Sequence, residues 1–132
     1  MGVTESQASK NLALAGRLAF LDTGPDAARI RLYDGARPLV SADPDAGNTL
    51  IAEIVLTKPA GAVAANALRL FADGAGSVVA TGTPTWARVI NGEGATAFDM
   101  SAGIAGSGAN CIISDEIVYA GGVVSVLSAV LT

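Results

Sequence analysis

The chain has 132 residues, 51% hydrophobic but only 5% aromatic, with 16 glycines and a formal net charge of −4. This length builds one domain around one core, and a composition rich in Ala, Val, Leu, Ile and Gly suits thin, tightly turned sheets rather than a helical bundle. Scattered Lys and Arg exclude a nucleic-acid footprint, and a single cysteine excludes an internal disulfide.

Residues 6–22 come first. Ala8, Leu12, Ala15 and Ala19 recur at helical spacing, with Leu14, Leu18 and Leu21 alongside. Thr4 or Ser6 can cap the start, and Gly24-Pro25 ends the helix. Gly16 costs up to about 1 kcal/mol relative to Ala unless another backbone packs closely there. After the break the pattern becomes alternating. Arg29-Ile30-Arg31-Leu32-Tyr33 places Ile30 and Leu32 inward, and Asp34-Gly35 turns the chain. Residues 50–57 alternate again, with Glu53 on the wet face. Short strands are predicted at 68–71, 85–90, 96–100, 111–114 and 117–119, with a longer, more apolar one at 123–131. Asn91-Gly92 is a strong hairpin signal between two of them. Residues 38–48, 73–76 and 101–110 read as loops. Short strands without intervening helices predict an all-β, antiparallel, jelly-roll-like sandwich over residues 25–132. The helix of residues 1–24 then packs on the sheet or on a neighbouring subunit, because a short helix needs a tertiary partner.

No stretch reaches the roughly 18 apolar residues of a membrane span. Met1-Gly2-Val3-Thr4-Glu5-Ser6 carries its charge too early for a secretory signal, and the spacing of Gly2 and Ser6 fits a myristoylation pattern no better than chance. The search for chemistry is mostly negative. Without histidine, Ser-His-Asp and Cys-His arrangements cannot form, and imidazole or paired-thiolate metal sites are excluded. Asp43-Pro44-Asp45 with Asn48 offers loop oxygens for Ca²⁺, but it lacks EF-hand spacing and reads better as a solvated turn. Asp115-Glu116 are strand neighbours that point to opposite faces, so a turn explains them better than an acid–base pair. Gly74-Ala75-Gly76 and residues 103–108 lack the following helix and the lysine of a phosphate loop. Cys111, beside Ile112 and Ile113, reads as a buried thiol. No enzyme activity, cofactor or metal is expected. Trp86 and Arg88 share one strand face, as do Arg31 and Tyr33. These four are the candidate interface residues. For the first pair the alternative is a core Trp with an Arg snorkelling past it.

One ordered set of motifs is more specific. A helix ending in Gly is followed by Arg29-Ile30-Arg31-Leu32-Tyr33-Asp34-Gly35-Ala36-Arg37-Pro38, then Leu50-Ile51-Ala52-Glu53. Next come Gly82-Thr83-Pro84-Thr85-Trp86-Ala87-Arg88-Val89, an Asn-Gly turn, and a last strand opened by Gly121-Gly122-Val123-Val124-Ser125-Val126. This order resembles a group of small structural proteins of tailed bacteriophages and prophages. The resemblance implies a virion component, a capsid decoration or cement protein. It would be made in the host cytoplasm and bind the major capsid protein at the capsid surface as a homo-oligomer, dimer or trimer, without nucleic acid or membrane. The alternative is a tail- or fibre-associated binding module, with Trp86, Tyr33 and Tyr119 as platforms for a sugar. The resemblance carries no catalytic residue.

Overall fold

The computed structural model describes residues 6–37 and 48–132. The Asp43-Pro44-Asp45 turn and the Thr4 cap lie outside the described residues. Helix α1 spans Gln7–Leu21, and the Ser6 hydroxyl accepts from the Ser9 amide at 3.2 Å as its N-cap. Among the described residues nine strands follow: β1 Arg29–Tyr33, β2 Leu50–Ala64, β3 Ala67–Ala72, β4 Gly76–Val78, β5 Trp86–Ile90, β6 Thr96–Gly103, β7 Cys111–Ile113, β8 Val123–Val124 and β9 Val126–Leu131.

The protein is mostly β with one helix, as the alternation predicts, but the strands do not form a sandwich. Seven of them close on themselves in the order β1-β5-β6-β7-β9-β3-β2, with β2 returning to pair with β1. The two remaining strands, β4 and β8, form a ribbon attached to β2. The barrel is also not wholly antiparallel, since β6 and β7 run parallel. In-out alternation is common to sandwiches and barrels, so it does not distinguish them. The length of β2 does. Its first half pairs with β1 and β4, and its second half pairs with β3. Between Leu56↔Ala72 and Gly61↔Leu70 the chain advances five residues on β2 against two on β3, and this bulge turns the strand from one part of the wall into the next. A Cβ at Gly61 would collide with the Arg69 carbonyl oxygen, so the close approach of β2 and β3 requires glycine there.

Two tight turns complete the wall. Ala65 and Asn66 both have positive φ, 51° and 67°, the two-residue turn that matches strand twist between β2 and β3. The Asn-Gly signal does mark the β5–β6 hairpin, but its loop holds five residues, 91–95, and the positive φ falls on Gly94 rather than Gly92. The Asn91 side chain organises this loop by accepting from the amides of Glu93 and Ala95 at 3.0 and 2.9 Å. Two other expectations shift. Gly76, read as loop, opens β4, and residues 117–119 contribute only the bridge Gly82↔Val118.

Inside the barrel lie Ile30, Leu32, Ile54, Ala87, Val89, Met100, Cys111 and Ile113, all buried. Helix α1 packs against β2, β3 and β6 of the same chain and adds Leu14 and Leu21 to this core, with Leu18 partly buried. Asn11 and Asp22 fix it further by accepting from the amides of Asn66 and Ala60 at 3.1 and 2.9 Å. The stripe of Ala8, Leu12, Ala15 and Ala19 faces outward, with Leu12 75% exposed. Of two overlapping apolar stripes the barrel takes the one with three leucines, which removes more apolar area from water.

Among the described residues, a Cβ added at Gly16 would meet nothing within 4 Å. No close packing compensates for glycine there. The Gly16→Ala variant is therefore expected to gain about 0.5–1 kcal/mol in denaturant unfolding with an unchanged slope, through the lower entropy of its unfolded chain.

Candidate functional site: an arginine–aromatic wall

Alternation along β1 turns Arg29, Arg31 and Tyr33 to the outer side of the barrel while Ile30 and Leu32 face the core. On β5 the outward residues are Trp86, Arg88 and Ile90. Registers then determine the neighbours. Arg31 lies opposite Glu53 on β2 and Arg88 on β5, and Arg88 lies opposite Asp99 on β6. A row Glu53–Arg31–Arg88–Asp99 thus crosses four strands, beside the cross-strand pair Tyr33–Trp86.

Each member of the row has a bonded partner. Arg88 donates to both Asp99 oxygens, Nε to Oδ1 at 2.9 Å and Nη2 to Oδ2 at 3.2 Å. Arg31 Nε donates to Glu53 Oε2 at 2.9 Å, and Arg29 Nη1 donates to Oε1 of the same carboxylate at 3.3 Å. Partial burial works against the charge on Arg31. The hydrogen bond and charge of Glu53, with a smaller contribution from Tyr33, outweigh it and hold the guanidinium above its ordinary value. The Tyr33 and Trp86 rings stack with centroids 4.5 Å apart and planes 13° apart, and the Arg88 guanidinium lies 5.3 Å from the Trp86 ring centre. The Trp86 indole N–H donates to the Asp34 carbonyl at 3.0 Å. The Asp34-Gly35 turn is held in place too: Asp34 Oδ1 accepts from the Thr49 amide, and the Gly35 carbonyl accepts from the Thr85 hydroxyl, each at 2.7 Å.

All four candidate interface residues therefore meet in one cluster, but three of them are covered within the chain. Trp86 is 1% exposed, Tyr33 3% and Arg88 7%. Arg88 does not snorkel to water; it ends on Asp99, whose side chain is 5% exposed. Only Arg31 keeps a substantial part of its side chain in solvent, 35%. Trp86 and Tyr33 are thus closed to a sugar, and Tyr119, 66% exposed, is the one platform of the three that faces solvent. A hollow of about 200 Å³ next to the wall is lined by Asp26, Arg29, Arg31, Asn91 and Glu93 among others. Its two arginines are shared with Glu53 and flanked by two further carboxylates, so the hollow holds no excess positive charge for an anion.

Among the described residues, no group of three or more His, Cys, Asp and Glu could hold a metal ion. Also among them, no helix is long and apolar enough to cross a membrane. Asp115 and Glu116 are exposed, and Gly103 closes strand β6 with no helix after it. Cys111 is fully buried, and burial pushes its thiol up to about 12. What alternation alone misses is the outward apolar set, including Val79, Ile117, Val123 and Leu127 at 52–66% exposure. Their only signal is an apolar residue on the face that a two-residue period assigns to water.

The fold and wall define a class: a β-barrel protein with one helix on its core and a fully bonded arginine–aromatic cluster. No family model matches the chain, and neither a curated protein nor a solved structure gives a match.

Two outcomes follow for the wall and core. Asp99→Ala leaves the buried Arg88 charge without its carboxylate and is expected to cost about 3–5 kcal/mol in chemical denaturation, whereas the paired replacement Arg88→Met with Asp99→Leu costs far less. Because the Cys111 thiol stays protonated in the folded state, the unfolded chain holds fewer protons above its ordinary value. Stability therefore falls as pH rises from about 9 toward about 12, by up to about 1.4 kcal/mol per pH unit. Cys111→Ala should remove that component of the slope in alkaline urea titrations.

Proposed function

We propose that the protein is a virion structural protein of a tailed bacteriophage, a capsid decoration or cement protein that binds the major capsid protein at the shell surface and carries out no catalysis. The observation that supports this is the placement of large apolar side chains outside a core that is already complete. Among the described residues ten large hydrophobics are exposed, including Leu12 on α1, Phe71 on β3, Leu127 on β9, and Val79 and Val123 on and beside the β4–β8 ribbon. Isolated exposed hydrophobics are ordinary, but a spread over several elements suits a protein that is covered in its working state. Weak contacts of this kind add up when a repeated surface is bound many times. The motifs behind the resemblance support the same reading in another way. Tyr33-Asp34-Gly35, Glu53 and Trp86-Ala87-Arg88 are far apart in sequence yet converge on one locked wall, so their common job is a rigid scaffold.

The test is to produce the protein together with the structural genes of its own phage or prophage and to fractionate the particles on a density gradient. The expected result is co-sedimentation with assembled heads in a copy number that matches the shell lattice. Recovery only with tails, or only as free protein, would overturn the proposal.

A further inference from the structure

The helix and the β6 wall leave an apolar cleft between them. It has a volume of about 160 Å³ and is lined by Arg17, Phe20, Thr96, Ala97 and Phe98. That is about the size of a cavity that accepts a benzene ring. Phe20 is 41% exposed at its rim. Arg17 stands over it, and Lys10 lies two turns earlier on the same edge of α1. Among the described residues neither cation has an ion-pair partner, as is also true of Arg69 on β3, whereas the three wall arginines Arg29, Arg31 and Arg88 are each paired.

Elsewhere on the same chain is a segment of the opposite character. Asp115 and Glu116 are exposed and form no ion pair among the described residues; Asp115 only accepts from the neighbouring Ser114 hydroxyl. Just after them Ile117 and Tyr119 are 52% and 66% exposed, on either side of the inward Val118 at 3%. Backbone bonds tie this segment to Gly82, and the Ala120 amide donates to the Thr81 hydroxyl, whereas α1 packs on β2, β3 and β6. The cleft carries unspent positive charge around an apolar hole. The segment carries unspent negative charge beside two apolar knobs.

We infer that the protein self-associates by seating residues 115–119 of one copy in the α1–β6 cleft of a second copy, with Ile117 or Tyr119 in the hole and Asp115 and Glu116 against Arg17 and Lys10. The contact joins two different surfaces, so it is made twice in a two-fold dimer, or passed from copy to copy round a ring or along an open filament. It stands independently of the capsid reading, because it concerns the purified chain alone.

Sedimentation equilibrium across a concentration series tests it, with circular dichroism melts confirming that each variant folds. The wild type is expected to associate reversibly. Lys10→Glu with Arg17→Glu, and separately Asp115→Lys with Glu116→Lys, should each weaken association at least tenfold, about 1.4 kcal/mol. The second pair brings the net charge from −4 to zero, which by itself favours association, so weakening there marks a specific contact. Combining all four substitutions should restore most of the wild-type constant. Ile117→Ser together with Tyr119→Ser should weaken association without moving the melt. A wild type that stays monomeric at every concentration overturns the inference. So does an association constant that ignores both charge reversals, or one that the combined variant fails to recover.

Discussion

Arg31 and Arg88 face each other directly across the β1–β5 ladder, and like charges in that position destabilise a sheet. The barrel wall depends on how this is resolved. Each guanidinium turns away from the other toward a carboxylate on the next strand out, Arg31 toward Glu53 on β2 and Arg88 toward Asp99 on β6. The repulsion between the middle strands thereby becomes an attraction across both outer seams, and one of those seams, β1–β2, closes the barrel. The stacked Tyr33–Trp86 pair lies one step along the same two strands and its Trp86 ring lies against Arg88, so the Arg88–Asp99 pair is the buried one, while Arg31 and Glu53 keep about a third of their side chains in water. A charged pair at this depth is a poor source of net stability, because desolvation offsets most of its attraction. Its value lies in register: a shift of one residue would put Arg88 beside an apolar neighbour and send Ala87 and Val89 out of the core.

Much of this was legible in the sequence, for physical reasons that differ by element. The α1 helix, β1 and β5 follow from local periodicity and capping, and their limits agree with the sequence within a residue, whereas β6 runs three residues past its expected end into the 101–110 loop. Barrel closure was not legible. It depends on a bulge within residues 57–60 and on the close approach at Gly61, which a period-two reading takes as the end of a strand. Which stripe of α1 faces the barrel was not legible for a related reason. Ala8, Leu12, Ala15 and Ala19 obey helical spacing as well as Leu14, Leu18 and Leu21 do, and only the identity of the facing strands decides between them.

The candidate site shows the same limit. Strand parity correctly placed Trp86 with Arg88 and Arg31 with Tyr33, because parity is a property of one strand. It could not show that the two pairs are neighbours or that they are covered, because register between β1 and β5 is a property of the fold. An Arg and a Trp on one strand face suit a partner surface and a satisfied wall equally well. The deciding observation is that each donor described in this cluster already has an acceptor inside the chain: Asp99 for Arg88, Glu53 for Arg31 and Arg29, and the Asp34 carbonyl for Trp86.

That saturation bears on where recognition can occur. A group whose hydrogen bonds are complete within its own chain gains little from a partner, since breaking those bonds costs about what new ones return. The wall is therefore a poor candidate for a contact surface, despite carrying the residue types that interfaces favour. Apolar groups left in water are in the opposite condition, since each gains by being covered, and an unpaired surface charge gains only where a counter-charge repays its lost hydration. In this chain those groups lie on α1, on the β3–β9 wall, on and beside the β4–β8 ribbon and along residues 115–119, with Val55 opposite Arg29 as the one that borders the arginine–aromatic cluster. Rigidity and recognition are thus divided between different parts of one small barrel. The locked wall holds the strands in register, and the surfaces it leaves unsatisfied are the ones with free energy to gain from a partner.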